Sequence, residues 1–356
     1  MATTRLLVLP LLLVLVAGRA PAQTPDPDLT AVRAKPELGD EDRALIRAYL
    51  TRRIEVLRGK DDTAAQTAAT ELRTAYDGSD GFKKAYAAVC AEVAGAAIKK
   101  LELAPATRLM TVLNTLQSAE TLPALLEGLR DDRVGVRTAA ALGLRSLRDK
   151  LAAAGKDVYS RALTSLKEVG RQERARETLK AIYAAMNYAE LSAGADAKAT
   201  ALAVLELLEE RAKQYGGGEL RAAGADDAGL RIMKAVAGTL EEAERKRLMI
   251  VTGTMLLHAV QRYSTGAAKL AAVHDRDGAR DQIELRNAME RLILVGEELL
   301  TVLLKPEKSP DVTDPLRKLN TADLRVEWQK WVGLLEKAVG QDFSITESAG
   351  DEAAGG

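Results

Sequence analysis

Residues able to carry chemistry are few in this 356-residue chain, and the two histidines come first, His258 and His274. A zinc site takes three or four N, S or O ligands in defined geometry, so one here would have to recruit carboxylates. No cysteine lies near either histidine. His258 sits in the apolar run LMIVTGTMLLHAV, the setting of a hydrogen-bonded core histidine, and His274 falls at a turn between helices. In DRDGARDQIE, Asp275 and Asp277 stand at the first and third positions of a calcium loop, but the sixth position, where the turn needs glycine, is Arg280. No P-loop, HExxH, GxSxG or dinucleotide fingerprint occurs. The one thiol, Cys90, lies in AYAAVCAEVAGAA and reads as a small core residue, with intermolecular pairing as the alternative. No catalytic residue, metal ligand or cofactor is assigned, although two carboxylates brought together by folding could still do acid–base work.

What remains is recognition by charge. Residues 130–180 carry 13 basic and 7 acidic side chains, whereas residues 182–244 carry 6 and 11. Adjacent regions of opposite sign can steer a charged partner, or meet head to tail in self-association. The plainer alternative is a solvated, salt-laced exterior. On the first alternative, Arg137, Arg145, Arg148, Arg174 and Arg176 are the candidates for contacting an acidic protein partner. Near-neutral overall charge and 3% aromatic content argue against a nucleic-acid partner. A second possibility is a small-ligand or enzyme pocket near His258, His274 and the glycines at 216–218.

The elements that must position these residues are helices. From Leu122, the stretch LPALLEGLRDDRVGVRTAAALGLRSLRDK reads as two amphipathic helices. Leu122, Leu125, Leu126 and Leu129 mark one apolar face, and Val136, Ala140, Leu144 and Leu147 the next. The turn Asp131-Asp132-Arg133 joins them. The layout recurs through residue 188, with Leu163 answering Leu126 and Arg176 answering Arg137. A recurrence of this size marks a helical-pair array, because one pair cannot bury its apolar stripe alone. Asp131-x4-Val136-Arg137-x2-Ala140-Ala141-x2-Leu144 resembles the second-helix signature of HEAT repeats. That resemblance implies an α-solenoid in which Asp131 caps the second helix and Arg137 links adjacent repeats. The neighbouring repeat departs from the signature, with Gly170 or Arg171 where the Asp should stand.

Flanking segments follow from punctuation and composition. Arg5, the apolar run Leu6 to Val16 and Ala20-Pro21-Ala22 read as a signal peptide ending at residue 22, so the mature chain is expected from Gln23. Neither this run nor the one at 248–260 is long enough to span a membrane comfortably. Without Arg5 and Arg19 the chain holds 49 basic and 51 acidic residues, a formal charge of −2. Residues 23–39 hold three prolines and read as a flexible lead-in, 40–215 as the repeat array, and 219–304 as long helices of the array or a second helical domain. Residues 305–320 form a linker, 321–340 a capping helix in which Trp328 and Trp331 share a face, and 341–356 a disordered acidic tail. The tryptophan pair packs on the end of the array or serves as a ligand platform. No stretch alternates as a strand would, so the fold class is all-α, a HEAT-like helical-repeat solenoid with irregular long helices in its C-terminal half. The functional expectation is an exported, non-catalytic scaffold for protein–protein interaction.

Overall fold

The computed structural model describes residues 27–191, 197–216, 223–271, 279–318 and 320–345, and everything below concerns those. They form sixteen α-helices and no strand. A one-turn helix, α1 (Thr30–Arg33), precedes α2 (Asp40–Arg58) and α3 (Asp62–Thr74). Asp61 opens α3 by accepting from the Ala64 amide at 3.1 Å, and Ser79 opens α4 (Asp80–Ile98) through the Phe82 amide at 3.1 Å. Such side-chain caps supply acceptors for N–H groups that the first helical turn leaves orphaned. There follow α5 (Leu103–Thr115), α6 (Leu122–Leu129), α7 (Val134–Ser146), the short α8 (Arg148–Ala153), α9 (Lys156–Gln172) and α10 (Arg176–Met186). The C-terminal half holds α11 (Ala197–Gly216), α12 (Ala223–Val236), α13 (Glu242–Ala271), α14 (Ala279–Leu304), α15 (Thr313–Arg317) and α16 (Thr321–Val339).

Six antiparallel pairs, α2/α3, α4/α5, α6/α7, α9/α10, α11/α12 and α13/α14, succeed one another along the chain. Each first helix packs on the first helix of the next pair, in the order α2, α4, α6, α9, α11, α13, α16. Each second helix packs on the next second helix, in the order α3, α5, α7, α10, α12, α14. Small residues set the spacing within this order. A Cβ on Gly128 would lie 2.5 Å from the Met110 sulfur, and one on Gly143 would lie 2.8 Å from Leu125. One continuous apolar core results, running from Leu29 to Phe343. The run at 248–260 lies inside it, with Leu248, Val251, Met255, Leu256, Ala259 and Val260 buried between α11, α14 and α16.

Several sequence expectations are corrected. Residues 27–38 are a packed strap rather than a flexible lead-in: Leu29 and Val32 are buried, and the Ser79 amide donates to the Arg33 carbonyl at 2.8 Å. Gly81 lets the strap approach so closely that a Cβ there would sit 1.8 Å from the Pro36 carbonyl oxygen. The region expected as long helices over 219–304 breaks between Val236 and Glu242, where Glu244 caps the new start by accepting from the Glu241 amide. The linker at 305–320 contains α15. The tail is packed as far as Ile345, because Phe343 is buried against α13 and α16. The signal-peptide segment, the remaining tail, Gly217, Gly218, His274, Asp275 and Asp277 lie outside the described residues, and so does the side chain of Arg280. No described helix is long and apolar enough to cross a membrane.

Candidate functional site

The five candidate arginines do not converge. Arg137, Arg174 and Arg176 lie at the end of the pairs where α6 turns into α7 and α9 into α10. Arg145 lies toward the opposite end of α7, about 12 Å from Arg137 at 1.5 Å per helical residue, and Arg148 lies just beyond it at the start of α8. Arg137 is committed internally. It makes a bidentate pair with Glu173, 2.7 and 3.1 Å, and its third nitrogen donates to the carbonyls of Asp131 and Asp132. Arg148 donates to the Asn187 carbonyl and, at 3.3 Å, to the Arg145 carbonyl. Arg176 lies over Gly224 at the start of α12 and pairs weakly with Glu284 at 3.5 Å. Arg174 is exposed in the α9–α10 turn. Arg145 alone of the five is exposed with no side-chain hydrogen bond or ion pair among the described residues.

Around Arg137 the structure builds a ladder of charges through successive turns. Arg133 reaches back to the Ile98 carbonyl at 2.9 Å and to that of Leu101, while gripping Asp131 at 2.7 Å. Asp131 accepts from the Arg133 amide at 3.0 Å, one position before α7 begins at Val134. It therefore fastens the turn and does not cap the first helical turn itself, which differs from the role its resemblance implied. Glu173 has the matching role in the next pair, accepting from the amides of Arg174 and Ala175 at 3.0 and 2.8 Å. Its neighbour on the other side, Arg211, donates to the Glu173 carbonyl at 3.1 Å and pairs with Asp226 at 3.3 Å. The hydroxyls of Tyr183 and Tyr215 also donate to Asp226, at 2.7 and 3.0 Å.

Burial and charge act in opposite directions along this ladder. Burial raises the Glu173 carboxyl, but Arg137 and the two amides outweigh it and hold the group below the ordinary range. The Arg133 guanidinium, against burial, holds Asp131 low as well. At Asp226 burial prevails over Arg211 and both tyrosines, and the carboxyl is raised. A groove of about 460 Å3 runs along the first two rungs, lined by Arg130, Asp132, Glu168 and Gln172 besides Arg137 and Glu173.

The segregated charges are also paired across helices. Lys167 of the basic region bonds Glu206 of the acidic one, Arg247 holds Glu209 at 2.7 and 2.8 Å, and Lys198 bonds Glu241. Two opposed patches on the surface do not follow directly from the count along the chain.

Other candidates resolve into the core. Trp328 and Trp331 are 1% and 0% exposed, which rules them out as an open ligand platform. Their indoles donate to the Phe343 carbonyl at 3.1 Å and to Glu297 at 3.0 Å. Glu297 also accepts from the amides of Val312 and Thr313, so it ties α14, the start of α15 and α16 into one clasp. Burial raises its carboxyl despite these donors. A second groove, about 690 Å3, lies between α15 and the outer face of α16, with Val326 and Leu334 in its wall. Cys90 is fully buried, which pushes its thiol up to about 12. His258 is half-buried, and that burial lowers its imidazole. Gly216 lies beside it, where an added Cβ would be 3.6 Å from Nε2.

Sequence reading missed Glu173, Asp226 and Glu297. Glu297 left a signal, since it shares the apolar helical register of Ile293 and Leu300. Glu173 left none, because it sits in a turn amid arginines, with no apolar register to join. The described residues hold no group of three or more His, Cys, Asp or Glu placed to bind a metal ion. No protein-family model matches the chain, and no curated protein matches it either.

Proposed function

We propose that the chain is a HEAT-like α-solenoid that works, after export, as a non-catalytic scaffold for protein–protein interaction in the cell envelope or outside the cell. The observation that carries this reading is the unbroken order of contacts, first helix to first helix and second to second, through six pairs. Such stacking presents long, repetitive faces to a partner. The Arg137–Glu173 pair between α7 and the α9–α10 turn supports the repeat reading, since it performs the linking role that the resemblance assigns to Arg137. It also removes Arg137 from the partner contacts. Arg145 takes its place as the leading contact for an acidic group.

The test is affinity capture from native envelope extract with the secreted chain as bait, at low and high salt, beside Arg145→Glu. A discrete partner that is reduced by the variant and by salt supports the scaffold and its contact. Recovery of the bait alone transfers the reading to self-association. The approach of His258 to Gly216 is the one observation favouring a small-ligand pocket instead. A thermal-shift screen against metals and small anions tests it, and a shift abolished by His258→Ala would establish that pocket.

A further inference from the structure

Five carboxylates are buried among the described residues, and four of them pair with arginine: Asp131 with Arg133, Glu173 with Arg137, Asp226 with Arg211 and Asp227 with Arg231. The fifth, Glu297 on α14, has no cation. It is 7% exposed, and every hydrogen bond it makes is accepted from a donor. Oε1 accepts from the Val312 amide at 2.6 Å and from the Trp331 indole at 3.0 Å. Oε2 accepts from the Thr313 amide at 3.0 Å and from the Thr313 hydroxyl at 2.5 Å. These bonds hold the segment entering α15, and the middle of α16, against α14.

Charged and titratable groups on the surrounding elements are engaged elsewhere. On α12, Lys234 pairs with Glu298 at 2.8 Å, one position along α14. On α15, Lys318 pairs with Asp314 at 2.7 Å, and on α16 Lys330 bonds Glu327. On α13, His258 lies beside Gly216 and so faces α11, while Tyr263 donates to the Leu316 carbonyl at 3.0 Å. Lys308 and Arg317 are exposed. The charge that does act on Glu297 is Asp311, which is negative and opposes its ionisation. A lone buried carboxylate loses its hydration without compensation, and this favours the neutral form. The contacts accommodate that form. Amides and the indole can only donate, but the Thr313 hydroxyl can turn and accept. A proton on Oε2 then points to Thr313 Oγ1, Oε1 keeps Val312 and Trp331, and a lone pair of Oε2 keeps the Thr313 amide. Protonation thus removes the stranded charge without breaking the clasp.

We infer that the clasp is a proton-operated latch on the last helix of the array: α15 and α16 are held more tightly when Glu297 takes up a proton, and they open more often at neutral pH than in mild acid. Burial raises the Glu297 carboxyl above 4.5 against its donors, and Asp311 adds to the rise. The stabilisation from protonation is therefore complete below 4.5 and is lost as pH rises through the folded value. α16 fills the first-helix position beyond α13, so each opening uncovers the α13 face around Gly253 that Leu335 and Phe343 cover. The latch goes beyond the scaffold reading and does not depend on it.

Hydrogen exchange of the full chain, read by mass spectrometry at about pH 8 and about pH 5, tests the latch. Exchange of α16 peptides is taken relative to α4 peptides, so that the intrinsic pH dependence of exchange cancels. Glu173 and Asp131 stay ionised over this range, because their folded values lie below 4.5 and 3.8. In the wild-type chain the α16 ratio should fall by about threefold or more from the higher pH to the lower. Glu297→Gln cannot ionise and should remove the difference. Asp311→Asn keeps an acceptor for the Asp314 amide, 2.9 Å away, and should shrink it. The chain's two tryptophans both lie in α16, so acrylamide quenching of their emission gives a second, local reading. Quenching should fall toward acid in the wild type and stay level in Glu297→Gln. A wild-type ratio that stays level or rises toward acid, or a difference that survives in Glu297→Gln, overturns the inference. The wild-type profile needs no variant, so it decides the matter even where a variant fails to fold.

Discussion

At the scale of single residues, the Arg137–Glu173 pair shows why a candidate contact became a strut. The Glu173 carboxylate is 1% exposed and its partner 17%, so removing the guanidinium strands a buried charge. Breaking one side of such a pair costs roughly 3–5 kcal/mol, far more than an exposed ion pair is worth. Arg137→Met is expected to lose stability on that order in urea denaturation. The pH dependence has a definite sign. Glu173 and Asp131 are held low in the folded chain, so their contribution is complete above the ordinary carboxylate range. It is lost as pH falls through their folded values, which lie below 4.5 for Glu173 and below 3.8 for Asp131. In melting curves between pH 7 and pH 3 the wild-type chain should decline toward acid, and Arg137→Met should decline less steeply.

At the scale of elements, order at both ends depends on close packing that composition conceals. The strap before α2 is held by two bonds to Ser79 and by the absence of a side chain at Gly81. Gly81→Ala would place a methyl 1.8 Å from a backbone oxygen, which cannot rotate away, so the strap must lift. The expected result is faster tryptic cleavage after Arg33, measured by mass spectrometry, with the helices beyond α2 still folded. At the other end α16 packs on α13 in the position a further first helix would take. Glu297 and the two indoles fix it there.

At the scale of the whole molecule, burial in a single continuous core comes from pairs that each cover the next. Leu and Ala supply this with few aromatics, because small side chains let helices approach closely over a long contact. The proposed export makes its own prediction. Mass spectrometry of the secreted protein should find an N-terminus at Gln23, and a chain that keeps Arg5 and Leu6 would reject export by a cleaved signal peptide.

The sequence by itself determined the helices. Apolar periodicity marked α6, α7, α9 and α10. These signals are local, since a helix bonds within a few residues of itself and buries one stripe. Leu144 and Ala140 could thus be assigned to the core from spacing alone. The tertiary structure decided the fate of the charges. Arg137 and Arg145 have the same residue type and lie on one helix eight positions apart. Only the turn that carries Glu173, 36 residues on from Arg137, buries one and leaves the other to solvent. The packing of Phe343 against Gly253 and Trp328 was likewise set by neighbours distant in the chain. Helix formation reads from nearest neighbours, whereas the partner of a long charged side chain depends on which turn the stacking brings beside it.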